Sequence, residues 1–308
     1  MRLEKILIIG GSGFFGKSLV NYFIKKRLKK KTQIIIFSRK ADKFKLKNNN
    51  KNLSIKKTKG NILNTKTLPK ANLVIYCALL KKYKDDIKAI NNFCVLSKKY
   101  YNNSKILYVS SGAVYGVLPK NITRVKEDYY SNNKIKFKNY KKKYLLAKKT
   151  NETQIQNLGN QGLNVSIARC FTFVGEFMSK KSNFAIMDFI NCIFKKKKIF
   201  LRAKHKVVRS YLYSDDLAFF LLKILNVASP QCPIFNCGSD NAVSLNYLSK
   251  FLSNKYNIKI NITKFNNKKN IDLYVPNINK FRKNFKFYRK LNSCEAVIKS
   301  INEIKKIV

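Results

Sequence analysis

Tyr144 and Lys148 stand four residues apart in a segment patterned as a helix, so both side chains leave one helical face. A free tyrosine is a poor base at neutral pH, because its phenol ionises only near pH 10. An ammonium held beside a phenol favours the phenolate, and such a pair can exchange a proton with a hydroxyl. Lysine is abundant in this chain, so spacing alone does not single out the pair. The pair lies downstream of the run Ser110-Ser111-Gly112-Ala113-Val114-Tyr115-Gly116. Tyr140 is followed four residues on by Tyr144 rather than by lysine, which leaves Tyr144 as the candidate acid–base residue.

A second constellation opens the chain. Gly10-Gly11-Ser12-Gly13-Phe14-Phe15-Gly16 follows an apolar run and precedes a helical pattern. Glycines at positions 10, 13 and 16 permit a tight turn, let backbone N–H groups approach a pyrophosphate, and let helix and sheet pack closely. Dinucleotide sites that take NAD usually carry an acid at the end of the next strand, on the ribose 2′-hydroxyl. Here that strand ends Ile36-Phe37-Ser38-Arg39-Lys40, with no carboxylate. Arg39 suits a 2′-phosphate, so the expected cofactor is NADP, with NAD as the alternative.

These groups need rigid elements to hold them. Apolar runs predict strands at Ile6–Ile9, Gln33–Phe37, Leu53–Lys57, Leu73–Cys77, Ile106–Ser110 and Val165–Ala168. Helical patterns lie at Phe15–Lys26, Asp85–Tyr101 and Tyr140–Leu158, and Lys40–Asn52 reads as a loop. Strands alternating with helices predict an α/β fold with a doubly wound parallel sheet of Rossmann type. The second half is less regular. Helices are expected at Ser182–Phe194, at Asp215–Val227 capped by Ser214, at Leu245–Asn254 capped by Ser244, and from Ser293 to Ile307. Strands are expected at Arg209–Tyr213, Ile234–Cys237 and Ile258–Thr263. The predicted division is a dinucleotide-binding domain of residues 1–168 plus about 206–236, and a smaller mixed α/β substrate lobe of about 169–205 plus 237–308.

The glycine spacing, the Ser110–Gly116 run and Tyr144-Leu145-Leu146-Ala147-Lys148 together resemble the extended short-chain dehydrogenase/reductase family, whose members modify nucleotide sugars. Ile167 to Gly175, Arg209 to Asp216, Phe235 to Ser239 and Tyr274-Val275-Pro276 carry the resemblance along nearly the whole chain. It implies that Ser111 hydrogen-bonds the reacting oxygen, that Tyr144 shuttles the proton, and that Lys148 also bonds the nicotinamide ribose. It implies cofactor contacts from Gly10, Gly13, Phe14, Phe15, Gly16, Ser38, Arg39, Asn61, Ile62, Ala78, Tyr144 and Lys148. Substrate contacts are implied for Ser111, Thr172 and Arg209, the last clamping a pyrophosphate through its planar fork. The chain departs from the family in having Asn61 for an Asp that contacts adenine, Tyr76 for a frequent His, and Thr172 for an Asn.

Gly112-Ala113 narrows the reaction. The resemblance places an Asp-Glu pair there in sugar 4,6-dehydratases, and a Glu at the second position in decarboxylases. Neither acid is present. What remains is hydride transfer at the sugar ring with a tyrosine proton shuttle, either 4-epimerisation or reduction of a 4-keto sugar. The alternatives are a dehydratase or decarboxylase relative, or a non-catalytic or nucleic-acid-associated Rossmann protein. A degenerate member would be expected to lose Ser111, Tyr144 or Lys148, and all three stand.

Composition bounds the partners. The 65 Lys and Arg against 15 Asp and Glu give a net charge of +50. Only nine of the 65 are Arg, the better bidentate reader of phosphate, and the lysines are spread along the chain. No specific nucleic-acid site is expected, and Lys29–Lys31, Lys141–Lys143 and Lys195–Lys198 read as solvated surface. The seven cysteines form no C-x-x-C, and His205 is the single histidine, so neither a disulfide framework nor a metal site is expected. Leu217–Val227 is too short to span a bilayer and contains Lys223. Ile6–Ile9 runs straight into the glycine turn rather than forming a leader. The expectation is a cytoplasmic enzyme acting on a nucleotide-activated sugar, with a homodimer as the candidate assembly.

Overall fold

The computed structural model describes residues 4–119, 121–129, 139–179, 184–263, 271–288 and 290–306, with side chains from 142 in the helix that begins at 139. The chain opens with β1 (Glu4–Ile9), α1 (Phe14–Lys25), β2 (Thr32–Ser38), β3 (Leu53–Lys59), β4 (Leu73–Tyr76), α2 (Tyr83–Tyr100), β5 (Lys105–Ser111), α3 (Asn139–Asn160) and β6 (Asn164–Cys170). Then come β7 (Phe173–Val174), α4 (Ala185–Phe194), β8 (Ile199–Leu201), β9 (Lys206–Ser210), β10 (Leu212–Tyr213), α5 (Ser214–Asn226) and β11 (Ile234–Cys237). The remainder is β12 (Ala242–Ser244), α6 (Leu245–Tyr256), β13 (Ile260–Ile262), β14 (Ile271–Tyr274), α7 (Asn279–Phe285) and α8 (Ser293–Lys305). The expected helix start at Ser182 and end at Ile307 lie outside the described residues.

The chain divides into two compact units: Met1–Val117 with Tyr130–Cys170 and Asp215–Cys237, and Leu118–Tyr129 with Phe171–Ser214 and Gly238–Val308. The return to the first unit comes at Asp215, not at 206. Lys206–Ser210 and Leu212–Tyr213 pair with strands of the second unit instead. A strand joins whichever edge offers it hydrogen bonds, and no apolar pattern announces that partner.

The first unit is a seven-stranded sheet in the order β11-β6-β5-β4-β1-β2-β3, parallel throughout. The order reverses at β1, which has β2 on one side and β4 on the other. Open sheets of this kind bind ligands at that crevice, beyond the carboxyl ends of the strands. Side chains alternate between faces with the strand period of two. Leu7, Ile9, Ile35, Phe37, Val74, Tyr76, Ile106 and Tyr108 enter one core with Ile90 and Phe93 of α2 and Ile155 and Leu158 of α3. Their neighbours Ile6, Ile8, Ile34, Ile36, Ile75 and Leu107 are buried too, so both faces are covered.

Several strands outrun their apolar runs. Val165–Ala168 extends to Asn164–Cys170, because backbone pairing with β5 continues past the last apolar side chain. Within the segment read as a loop, Asn50 and Asn52 donate to the carbonyls of Phe23, Lys26 and Leu28 and so close the end of α1.

In the second unit β9 lies between β12, antiparallel, and β14, parallel. The pairs β7–β10 and β8–β13 are short and parallel. Ser244 caps α6 by accepting from the Tyr247 N–H, and Asn292 with Glu295 forms a capping box on α8. Ser214 does not cap α5 as its type suggested. It is the first helical residue, and its buried hydroxyl has no hydrogen-bond partner. Among the described residues no helix is long and apolar enough to cross a membrane, and no group of three or more His, Cys, Asp or Glu is placed to hold a metal.

Candidate functional site

The glycine turn sits at the carboxyl end of β1, where the sheet order reverses. Gly10 has φ +83°, and a Cβ there would lie 2.6 Å from the Ala78 backbone. A Cβ at Gly16 would lie 2.2 Å from the Gly11 carbonyl. A side chain at Gly10 would strike the chain leaving β4, and one at Gly16 would push α1 away from Gly11, so the turn is closed tightly. Gly13 is the N-cap of α1 and brings no side-chain cap, and the first turn holds no acid. A helix start of that form accommodates a negative group at its positive end. Phe14 and Phe15 begin the helix with their rings edge to face, 5.8 Å apart.

The remaining candidates for cofactor contact follow β2, β3 and β4. Ser38 Oγ donates to Ser12 Oγ at 2.9 Å, which ties the end of β2 to the glycine turn. Arg39 follows and is exposed. Asn61, after β3, turns the chain by accepting the Leu63 N–H on its side-chain oxygen at 3.3 Å, and Ile62 is buried. Ala78 follows β4 and faces Gly10. The structure therefore brings Gly10, Gly13, Gly16, Ser38 and Ala78 together at the carboxyl ends of β1, β2 and β4.

The proton-transfer candidates lie on β5 and α3. Ser111 ends β5 and caps the 3-10 turn Gly112–Tyr115, accepting from the Ala113 N–H at 3.2 Å. Helix α3 packs against that turn, β5, β6 and α2. It carries Tyr144, partly exposed, and Lys148, only 3% exposed, with the ammonium 6.0 Å from the Tyr144 ring centre. Lys148 donates to Tyr108 Oη at 3.0 Å and lies 3.6 Å from Asp86 Oδ2.

Sequence reasoning missed the polar groups beneath this face. Glu152 accepts from Ser110 Oγ at 2.5 Å and from Arg169 Nη2 at 2.8 Å. Arg169 Nη1 donates to Tyr115 Oη at 3.0 Å, and Tyr115 Oη donates to Asn236 Oδ1 at 2.7 Å. The ends of β5, β6 and β11 are thus locked to α3 behind Ser111. Burial opposes the Arg169 charge, but the hydrogen bonds and charge of Glu152, with help from Tyr115, hold its proton more tightly than usual. The available signal was helical spacing: Tyr144, Lys148, Asn151 and Glu152 share one face of α3.

In the second unit, Thr172 follows β6, and its carbonyl accepts the Leu212 N–H at 3.1 Å. Arg209 on β9 is engaged bidentately: Nη2 donates to Asp272 Oδ2 at 2.8 Å and Nη1 to Oδ1 at 3.2 Å. Nη1 also donates to the carbonyls of Val208 and Asp272.

A sequence model described as the NAD dependent epimerase/dehydratase family matches residues 6–238. The chain belongs to that family. A dTDP-D-glucose 4,6-dehydratase of Dictyostelium discoideum is 30% identical over 265 residues, covering 79% of this chain. The chain spans 60% of that relative's length. A dTDP-glucose 4,6-dehydratase from Bacillus anthracis, solved with NAD, superposes with TM-score 0.78 at 18% identity, over 98% of this chain and 97% of its own. The UDP-N-acetylglucosamine 4-epimerase of Methanobrevibacter ruminantium, solved with UDP-N-acetylmuramic acid, superposes with TM-score 0.77 at 19% identity over 100% of both chains. At these identities the solved epimerase and dehydratase share this chain's fold.

Proposed function

We propose that this epimerase/dehydratase family member is an NADP- or NAD-dependent nucleotide-sugar 4-epimerase or 4-ketoreductase. The observation that carries the choice is the turn after Ser111. It reads Gly112-Ala113, so the acid pair expected of a dehydratase has no counterpart beside the shuttle. Gly10, Gly13 and Gly16 would hold the pyrophosphate and Lys148 the ribose. The bound nicotinamide supplies the hydride chemistry. Tyr144 moves the proton of the sugar hydroxyl, and the Ser111 hydroxyl holds that oxygen in place.

The test is product analysis with dTDP-glucose, UDP-glucose and their 4-keto derivatives, each with either dinucleotide. Interconversion of 4-epimers, or oxidation of the reduced dinucleotide by a 4-keto sugar, is expected. Release of a 4-keto-6-deoxy sugar would show a dehydratase and overturn the assignment.

Two predictions bear on specificity. Arg39 is exposed at the end of β2, where a 2′-phosphate would lie, so the protein should bind NADPH more tightly than NADH. Arg39→Asp should invert that order in a fluorescence titration. Equal or tighter NADH binding by the unaltered protein would remove the argument for NADP. Arg209→Ala should raise KM for the nucleotide sugar more than it lowers kcat, because a pyrophosphate contact acts on ground state and transition state alike. A kcat effect at constant KM would instead assign Arg209 to its Asp272 pairing alone.

A cytoplasmic location belongs to the same proposal and is supported by seven cysteines that form no disulfide. So does a homodimer. Val95 on α2 is 65% exposed and Leu146 on α3 is 46% exposed, apolar surface on neighbouring helices that a second copy would cover.

A further inference from the structure

Lysine is everywhere on this chain's surface, yet Lys148 is buried, and it is buried beside a carboxylate. Asp86 on α2 is 2% exposed. Its Oδ1 accepts the Leu80 N–H at 2.9 Å, and its Oδ2 accepts the Asn151 amide at 3.0 Å and lies 3.6 Å from the Lys148 ammonium. The Asn151 amide also donates to Tyr108 Oη at 3.2 Å, the oxygen that accepts from Lys148 at 3.0 Å. Four side chains from α2, β5 and α3 thus form one closed cluster.

The charge in that cluster rests on two groups. Burial, and next the Asp86 charge, push the Tyr108 phenol well above its ordinary range, so it stays neutral. The neighbouring Tyr76 phenol is raised for the same two reasons, and burial pushes the Cys77 thiol up to about 12. Glu152, the next acid on α3, is committed to Arg169. A buried ammonium or carboxylate left alone is strongly unfavourable, whereas the pair is tolerated.

We propose that Asp86 is the buried counter-ion of Lys148, a positioning residue that acts on dinucleotide binding and proton transfer only through that lysine. The inference rests on the reading of Lys148 given above. An ammonium has three N–H donors. Tyr108 accepts one, which leaves two for the ribose and for Tyr144, while Asp86 balances the charge from below.

A double-mutant cycle tests this, with Asp86→Asn, Lys148→Met and the two combined. Thermal unfolding should fall by roughly 5–10 °C in each single variant, since each strands a buried polar partner. The combined variant should recover most of that loss. Affinity for NADH and NADPH, read from nicotinamide fluorescence, should weaken on the order of tenfold in each single variant and no further in the combined one. Affinity losses that multiply would show Asp86 acting independently of the lysine and overturn the proposal. Wild-type binding by Asp86→Asn with weak binding by Lys148→Met sinks the proposal alone. Wild-type binding by both sinks the reading of Lys148 and the proposal with it. Should Asp86→Asn not fold, the transposed variant Asp86→Asn/Asn151→Asp keeps one carboxylate in the cluster. It should fold and bind within a few-fold of wild type, and a binding loss as deep as that of Lys148→Met would overturn the proposal.

Discussion

Tyr144→Phe should lower turnover by about 10²–10⁴-fold, the usual worth of a positioned acid–base group. The substitution removes one oxygen from a partly exposed side chain and leaves the ring, so the fold should survive. Dinucleotide affinity should also survive, because the glycine turn and the Lys148 cluster are untouched. Phenylalanine has no proton to exchange, so the loss should fall on kcat with little change in KM. Tyr140→Phe, one helical turn earlier, is the control and should be nearly silent. Activity retained in Tyr144→Phe and abolished in Tyr140→Phe would mean that the proposed register of the acid–base residues on α3 is wrong.

The largest stability effect is expected behind the site, not in it. Arg169→Ala should cost roughly 3–5 kcal/mol, the range for breaking a buried ion pair from one side. The pair is close and enclosed: 2.8 Å between Arg169 Nη2 and Glu152 Oε2, with side-chain exposures of 14% and 7%. Alanine would strip Glu152 of its guanidinium donors, keeping the one from Ser110 Oγ, and would remove the bond from the guanidinium to Tyr115 Oη. Because Ser110 precedes Ser111, turnover should drop as well. Replacing both partners by methionine should be far milder, since no charge is then left buried. Urea unfolding of the two variants beside the unaltered protein measures this. An Arg169→Ala protein within 1 kcal/mol of wild type, roughly the size of an ordinary substitution, would show that the network contributes little to the fold.

What could be read along the chain was local. The glycine turn works through backbone geometry confined to a few residues, and Gly10 and Gly16 occupy positions where a Cβ would strike Ala78 or Gly11. Tyr144 and Lys148 are legible because a helix places residues four apart on one face. The alternation of strands and helices was legible for the same reason, since each element's period is written in consecutive residues.

Strand order is written nowhere locally, and strand order decides the rest. Only once β4 lies between β1 and β5, and β5 beside β6, do α2 and α3 pack together and bring Asp86 to Lys148. Arg169 meets Glu152, and Arg209 meets Asp272, by the same kind of long-range pairing. Composition worked against the reader here. In a chain of charge +50 any single lysine looks like solvated surface, and among the described residues Lys148 alone is buried. The sequence by itself determined the turn, the periodicity and the spacing of Tyr144 and Lys148. Only the tertiary structure decided which lysine left water and which carboxylate went with it, because burial depends on what packs across the sheet and not on what stands next in the chain.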